Sequence, residues 1–479
     1  MKNFATLLVI TFFNLISFSQ EVILDTKLEK LNSKIDYILT NNEDLFIMNS
    51  HKHIVASHIY NNIKKFENGT FREILKDQEF LYFFPIANSD NNFMTVSGKP
   101  SGKLNFNFHL NGKIQSKNDL KNNDFYDYYF DYKYFKLNDK FIYEVVSKSE
   151  KNYITDNKIE KEDLYLLKFD INTFKTSKVK IDKPNISRLK NDTLYNHKVI
   201  AYLPEMVDND NFQIITKSIE KEGKSSVFYR SIYDMNGKLI NEKSYTIDPI
   251  YGAFHYLYNM HTDRNRSNST NEATIYSPAS DLDINCHYLD KDTGDFYIYG
   301  GTQDKMNPLG FYVYKFNKED KLVWKKYYKV DDKKGFGKKN NDSWTKYILN
   351  IYDVSNDELV FCAKGPLDFK DSNSHVFKLS KSNGNVNAYS NFTYSIKKNL
   401  GGFSTFRSSL FDNIIISNKK YTNLELLIAQ ELNPEIKKFV SSISDKKGKG
   451  DKHIHAKITK KGIFVFETDN ESYYKIVKF

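Results

Sequence analysis

The sequence predicts an all-β protein: a β-propeller of about eight four-stranded blades, with seven as the alternative count, closed by pairing its N- and C-terminal strands. Three observations predict it. A turn of Asn, Asp, Gly or Lys followed at once by an apolar strand recurs along the chain, with the first strand residue at 45, 93, 141, 212, 296, 359, 414 and 463. Those steps suit a four-stranded blade with its loops. A second apolar run follows in most units, at 104–108, 164–169, 227–233, 311–316, 376–379 and 424–429. The last unit holds only three strands, 453–459, 463–466 and 473–479, so closure needs one more from the other end of the chain; 22–27 is the candidate, although Leu28, Leu31, Ile35 and Ile38 also fit a helical face. A long β-sandwich, or two in tandem, is the competing architecture. It requires neither the repeat nor the constant hairpin order.

The clearest unit is 290–330, DKDTGDFYIYGGTQDKMNPLGFYVYKFNKEDKLVWKKYYKV. Residues 296–299 and 311–316 are aromatic and β-branched runs of strand length, separated by a polar segment with Gly300, Gly301 and Pro308. The turn Asp292-Thr293-Gly294-Asp295 introduces the first run. Asn317-Lys318-Glu319-Asp320 leads into a third strand at 322–328 with Trp324 near its centre. Turns this short hold no crossover helix, which makes the unit an antiparallel meander. A lone meander cannot bury its faces, so it needs neighbours.

Residues 294–302, GDFYIYGGT, with 310–328 resemble the bacterial β-propeller repeat. Its pattern runs G-x-x-Y-[VI]-x-G-x-T, a loop, an apolar strand ending in K-[LF]-[DN], and a further strand with an aromatic centre. Gly294, Tyr297, Ile298, Gly300, Thr302, Lys315, Phe316, Asn317 and Trp324 stand at matching positions, whereas Asp320 sits where the pattern prefers Gly. The other units keep only the apolar strands. The resemblance implies an exported, surface-exposed protein whose commonest use is binding.

Residues 1–20, MKNFATLLVITFFNLISFSQ, combine a basic Lys2, an apolar core and a small-residue end, the marks of a secretory signal peptide. Thr11 and Asn14 interrupt that core, which is short for a membrane span. No later stretch is long and apolar enough to cross a bilayer. The expected mature chain, 21–479, is therefore a single propeller domain with a long loop inserted at 249–280, secreted, periplasmic or at the cell surface, and a monomer. Two cysteines, Cys286 and Cys362, allow at most one disulfide, so the fold rests on its hydrophobic core. The net charge of +10 comes almost wholly from lysine, since arginine occurs only at 72, 188, 230, 264, 266 and 407. Lysine and asparagine spread along every segment describe a solvated surface and not a nucleic-acid face, which clusters arginine with aromatics.

Candidate sites are few. Asp290, Asp292 and Asp295 have alternate-oxygen spacing in a tight turn, a pattern that suits Ca²⁺, although no downstream Glu in register completes an EF-type loop. Hairpin turns favour the same residues for their own sake. No other cofactor is expected. His51 with His53 and His453 with His455 each share a strand face, which reads as solvated histidine in the absence of a third ligand at zinc spacing. The insertion opens on an aromatic cluster that includes Phe254, with Tyr251, His255, Tyr256, Tyr258 and His261 as the expected ligand-binding residues, and turns wholly polar from 262 to 272. Long insertions on rigid scaffolds carry function. No nucleophile elbow, H-E-x-x-H or phosphate loop is present, so no catalytic residue is assigned. The expected function is non-catalytic binding of a protein or glycan at the cell envelope. The alternative is an enzyme cleaving extracellular polysaccharide or peptide, with acids at the mouth of the propeller channel.

Overall fold

A computed structural model describes residues 21–27, 34–39, 45–54, 57–67, 70–85, 92–98, 103–111, 113–121, 136–137, 140–148, 163–170, 172–173, 175–182, 205–208, 210–219, 226–247, 287–304, 307–330, 348–364, 372–394, 415–417, 420–443, 452–468 and 473–479. Among these residues the strands form seven sheets that succeed one another along the chain, accompanied by two short helices. Blades 1 to 6 span 34–75, 82–121, 136–181, 205–247, 287–329 and 348–394, and each is a four-stranded antiparallel meander. Blade 7 is assembled from both ends of the chain. Strands 452–459, 462–468 and 473–478 supply three members, and 21–27 adds the outermost, with Val22 opposite Val477 and Lys27 opposite Tyr473. The terminal pairing expected from the sequence is therefore present.

The continuous apolar runs have a direct cause: a blade is buried on both faces. In blade 5, Phe296 and Ile298 pack with Phe228, Tyr245 and Ile247 of blade 4. Their neighbours Tyr297 and Tyr299 point the other way, onto Leu359, Phe361 and Phe377 of blade 6. Similar shared cores join blades 3 and 4, 1 and 2, and, through Leu45 and Ile47 against Phe464, Phe466 and Ile476, blades 7 and 1. Together with the junction of blades 6 and 7, six neighbouring pairs share buried cores among the described residues. Blades 2 and 3 show no shared core among those residues.

A polar code overlies this packing. The third strand of blade 5 ends in Lys315-Phe316-Asn317, and the same position in blade 3 is Lys168-Phe169-Asp170. Both lysines are buried. Lys315 Nζ donates to the Lys381 carbonyl in the last turn of blade 6 at 2.9 Å, and Lys168 Nζ donates to the Met235 carbonyl in the last turn of blade 4 at 2.7 Å. Each ammonium also lies over a second-strand ring of its own blade, Lys315 over Tyr297 at 5.6 Å and Lys168 over Phe141 at 5.0 Å. Blade 4 has Ile232 at this position, and Arg230, two residues earlier, takes over the reach to the next blade, with Nη1 3.2 Å from Asp320 Oδ1. The turn being grasped is tight: Gly384 has φ +69°, and a Cβ there would lie 2.8 Å from Cε3 of Trp324 in blade 5. Trp324 Nε1 donates to the Lys381 carbonyl and Tyr328 Oη to that of Gly384, at 3.1 and 2.7 Å.

Two expectations need correction. The unit expected to start at 414 is not a blade: 415–417 and 420–422 form a short hairpin, and the 424–429 stretch read as a strand is helix α1 (Leu424–Leu432), followed by α2 (Pro434–Ser442). Among the described residues seven blades are found, the alternative count. Leu, Glu, Ala and Gln favour the helix, Asn423 caps it by accepting from the Leu426 amide at 2.9 Å, and Asn433 caps α2 ahead of Pro434 at its first position. The pair wedges into the junction of blades 6 and 7, where Leu424, Leu426, Ile428, Ile436 and Phe439 meet Val360, Cys362 and Val376 on one side and Ile454, Ala456 and Val465 on the other. The recurrent strand after each Asn/Asp turn is also the second of its blade, not the first. The first strands escape a sequence reading because several are very short, as at Lys136–Leu137, Glu205–Met206 and His287–Leu289.

Candidate functional site

The turns between first and second strands, and those between third and fourth, lie at the same end of an up-and-down blade. Blades 5, 6 and 7 bring four such turns together. Asp290 and Asp292 come from the first turn of blade 5, Asp353 ends the first strand of blade 6, Lys381 sits in that blade's last turn, and Lys460 sits in the first turn of blade 7. Lys381 Nζ is 2.7 Å from Asp290 Oδ2 and 2.8 Å from Asp353 Oδ1. Lys460 Nζ touches all three carboxylates, at 2.6 Å from Asp292 Oδ2, 2.9 Å from Asp353 Oδ2 and 3.3 Å from Asp290 Oδ1. Tyr288 donates its hydroxyl to Asp353. Asp295 pairs separately with Lys315 at 2.6 Å.

The centre of this network is buried, with the Asp290 and Lys381 side chains only 1% and 5% exposed, whereas Lys460 is part-buried and Asp292 exposed. Burial pushes the Asp290 carboxyl up, but Lys381 and Lys460 outweigh it and hold the group below the usual carboxylate range. Burial likewise favours neutral Lys460, and its bonds to Asp292 and Asp353 override this and hold the ammonium well above the usual lysine range. Burial and then the bond to Asp353 drive the Tyr288 hydroxyl far up, so it stays a donor. Three carboxylates and two ammonium groups thus meet at one end of blades 5 to 7. The chemistry they perform is cohesion between three blades.

The acidic turn thus collects three lysines: Asp290 pairs with Lys381 of blade 6 and Lys460 of blade 7, Asp292 with Lys460, and Asp295 with Lys315 of blade 5. Among the described residues no group of three or more His, Cys, Asp and Glu side chains is arranged to hold a metal. His453 and His455 share a face of the 452–459 strand with ring centroids 6.0 Å apart, and His455 is buried, not solvated as expected. Tyr251, His255, Tyr256, Tyr258 and His261 lie outside the described residues, as does the rest of the 249–280 insertion. Sequence reasoning missed Asp353, Lys381 and Lys460, which stand 65 to 170 positions from their partners in blade 5. Their position in equivalent blade turns was the one signal that pointed to them.

A second polar chain joins blades 4 and 5. Glu205 accepts from Gln213 at 2.8 Å and lies 3.3 Å from His287 Nε2. Arg230 links Gln213 to Asp320, which also accepts from Tyr245. Burial raises the Glu205 carboxyl, and His287 and Gln213 outweigh that effect and hold it below the usual range. Both networks join neighbouring blades.

No protein-family model matches the chain, and no curated protein matches it in sequence. Among solved structures it is similar to a subtype N11 neuraminidase-like protein of A/flat-faced bat/Peru/033/2010, at 10% identity and a TM-score of 0.29 over 77% of this chain and 89% of that one. It is also similar to an N10 neuraminidase-like protein of A/little yellow-shouldered bat/Guatemala/060/2010, at 8% identity and a TM-score of 0.27 over 71% and 90%. An apocarotenoid oxygenase of Synechocystis aligns at 9% identity and a TM-score of 0.34 over 76% and 71%. Likenesses this faint carry nothing about what the chain binds or does.

Proposed function

We propose that the mature chain is an exported, non-catalytic β-propeller that binds a protein or glycan at the cell envelope. One observation carries the reading: the carboxylate cluster formed by the turns of blades 5 to 7 is spent on Lys381 and Lys460, with Asp290 buried, so the acids a hydrolase would keep free at that end serve as structural joints. The short hairpin at 415–417 and 420–422 adds weight. It extends blade 7 from the edge of its first strand, on the side away from the outermost 21–27 strand, which in a propeller points toward the central axis. The backbone groups of that inner edge are thereby paired within the chain at 420–422 and 452–454. Export rests on the signal-like residues 1–20, and the envelope as destination follows from export together with a lysine-rich surface.

The test is a thermal-shift screen of residues 21–479 against oligosaccharides, extended peptides and Ca²⁺ with a chelator control, run beside a turnover assay on each compound that shifts the melt. A ligand at a hundred times its Kd adds about 2.7 kcal/mol. The expected result is a shift with one glycan or peptide class and no turnover. Hydrolysis of the stabilising compound would overturn the non-catalytic reading.

A further inference from the structure

The outermost strands of the seven blades differ in one respect. Those at Thr70–Leu75, Lys113–Lys121, Thr176–Ile181, Leu239–Ile247, Leu322–Lys329 and Glu21–Lys27 each carry at least two charged residues. The strand of blade 6, Val386–Tyr394, reads VNAYSNFTY and carries none. An outermost strand presents a row of backbone donors and acceptors, and charged side chains, lysine above all, are the usual device that keeps other strands off it. Five of the outer strands follow that device with lysine. Blade 6 lacks the protection, and its edge is accessible: Val386, Asn387, Ala388, Tyr389 and Asn391 are exposed, whereas Phe392 packs against the α1–α2 core. The edge is also rigid. Tyr389 packs on Phe377 in a tilted arrangement at 5.0 Å between centroids, and its hydroxyl lies 2.9 Å from His375 Nδ1.

We infer that residues 386–391 are a strand-addition site that takes an extended, acidic segment of a partner protein, which rests on the binding reading above and names the class of partner. Main-chain hydrogen bonds along the edge supply the affinity, and Val386 and Tyr389 offer an apolar and aromatic surface to alternate side chains of the guest. Charge selects the guest. Blade 5, the neighbour on the Tyr389 side, carries Lys321, Lys325, Lys326 and Lys329 on and beside its outer strand and no acid within that strand, and Lys326 reaches across to Asn385 at the foot of the blade 6 edge. A second copy of this chain suits the edge less well. Antiparallel pairing of two such edges keeps the sheet faces on the same side, so it brings both lysine-bearing blades 5 to one side of the joined sheet, and like charges oppose it.

The experiment measures binding of a fluorescent eight-residue peptide alternating valine and aspartate to residues 21–479 at low salt, with its valine–lysine counterpart as control. Amide hydrogen exchange is followed at 386–391 in parallel. The acidic peptide is expected to bind, to slow exchange at 386–391, and to lose about tenfold in affinity with Ala388→Glu or Lys326→Glu. Both positions lie on the outermost strands, and a wild-type melting temperature in each variant confirms that the fold is kept. Equal binding of the two peptides, protection elsewhere than 386–391, or concentration-dependent dimers that Ala388→Glu abolishes would each overturn the inference. A glycan that shifts the melt without protecting 386–391 would leave the binding reading standing and remove this site.

Discussion

The junction of blades 5 and 6 and the junction of blades 6 and 7 solve one problem in two ways. At the first, repeat-encoded residues do the joining: Lys315, Trp324 and Tyr328 of blade 5 all grip the last turn of blade 6 through hydrogen bonds to the carbonyls of Lys381 and Gly384. At the second, the apolar pair α1 and α2 fills the space, and polar clasps tie it to the first strand of blade 7. Asn423 exchanges hydrogen bonds with both the amide and the carbonyl of Ala456, and the Glu425 carboxylate accepts from the Ile458 amide. The charge network of Asp290, Asp353, Lys381 and Lys460 spans both junctions at one end. The polar joint demands specific turns and so fixes blade order, whereas the helical wedge demands only volume.

The largest effect separating the two is expected from the shared network. Asp290→Ala strips the buried carboxylate from Lys381 and Lys460 and should cost roughly 3–5 kcal/mol in chemical denaturation, as breaking one side of a buried pair does. A loss under 1 kcal/mol would show that water replaces the carboxylate. Next comes the turn that blade 5 grips. Gly384→Ala forces a Cβ against the Trp324 ring from a backbone at φ +69° and should cost about 1–3 kcal/mol, with Trp fluorescence reporting the shift of the ring. Asn423→Ala, on the wedge side, loses a helix cap and the clasp on Ala456 and should cost about 1–2 kcal/mol, measured as lost helical signal and lower Tm.

The smallest and most selective test is pH. The Asp290 carboxyl is depressed in the folded state, so its contribution is present above the unfolded carboxylate range and is lost as pH falls through the folded value. Lys460 is raised, so its contribution is complete below the unfolded lysine range and is lost as pH rises through the folded value. Stability should therefore hold between those limits and fall on both sides. Asp290→Asn should flatten the acid limb, and an unchanged acid limb in that variant would place the titrating groups elsewhere.

The legibility of these regions in the sequence follows the same division. Blade 5 was readable because both faces of its central strands are buried, which writes unbroken aromatic runs such as Phe296–Tyr299 into the chain. The terminal strand at 21–27 was readable because the last unit is visibly one strand short. The wedge reads as strand because 424–429, LELLIA, is a short and mostly apolar run, and its caps, Asn423 and Asn433-Pro434, are the signal that tells helix from strand. The polar joints were the least legible. Asp290 pairs with lysines from two other blades, and no linear pattern brings positions 290, 353, 381 and 460 together.

Blade 7 is held together by the two ends of the chain, and a comparison of residues 21–479 with 28–479 probes that pairing. Removing Glu21–Lys27 takes the outer strand from blade 7 and uncovers the 473–478 edge. The shorter chain should show a markedly lower Tm, with fast amide exchange spreading from 473–478 into 462–468, and recovery when a peptide of residues 21–27 is added back. An unchanged Tm with 473–478 still protected would contradict the pairing.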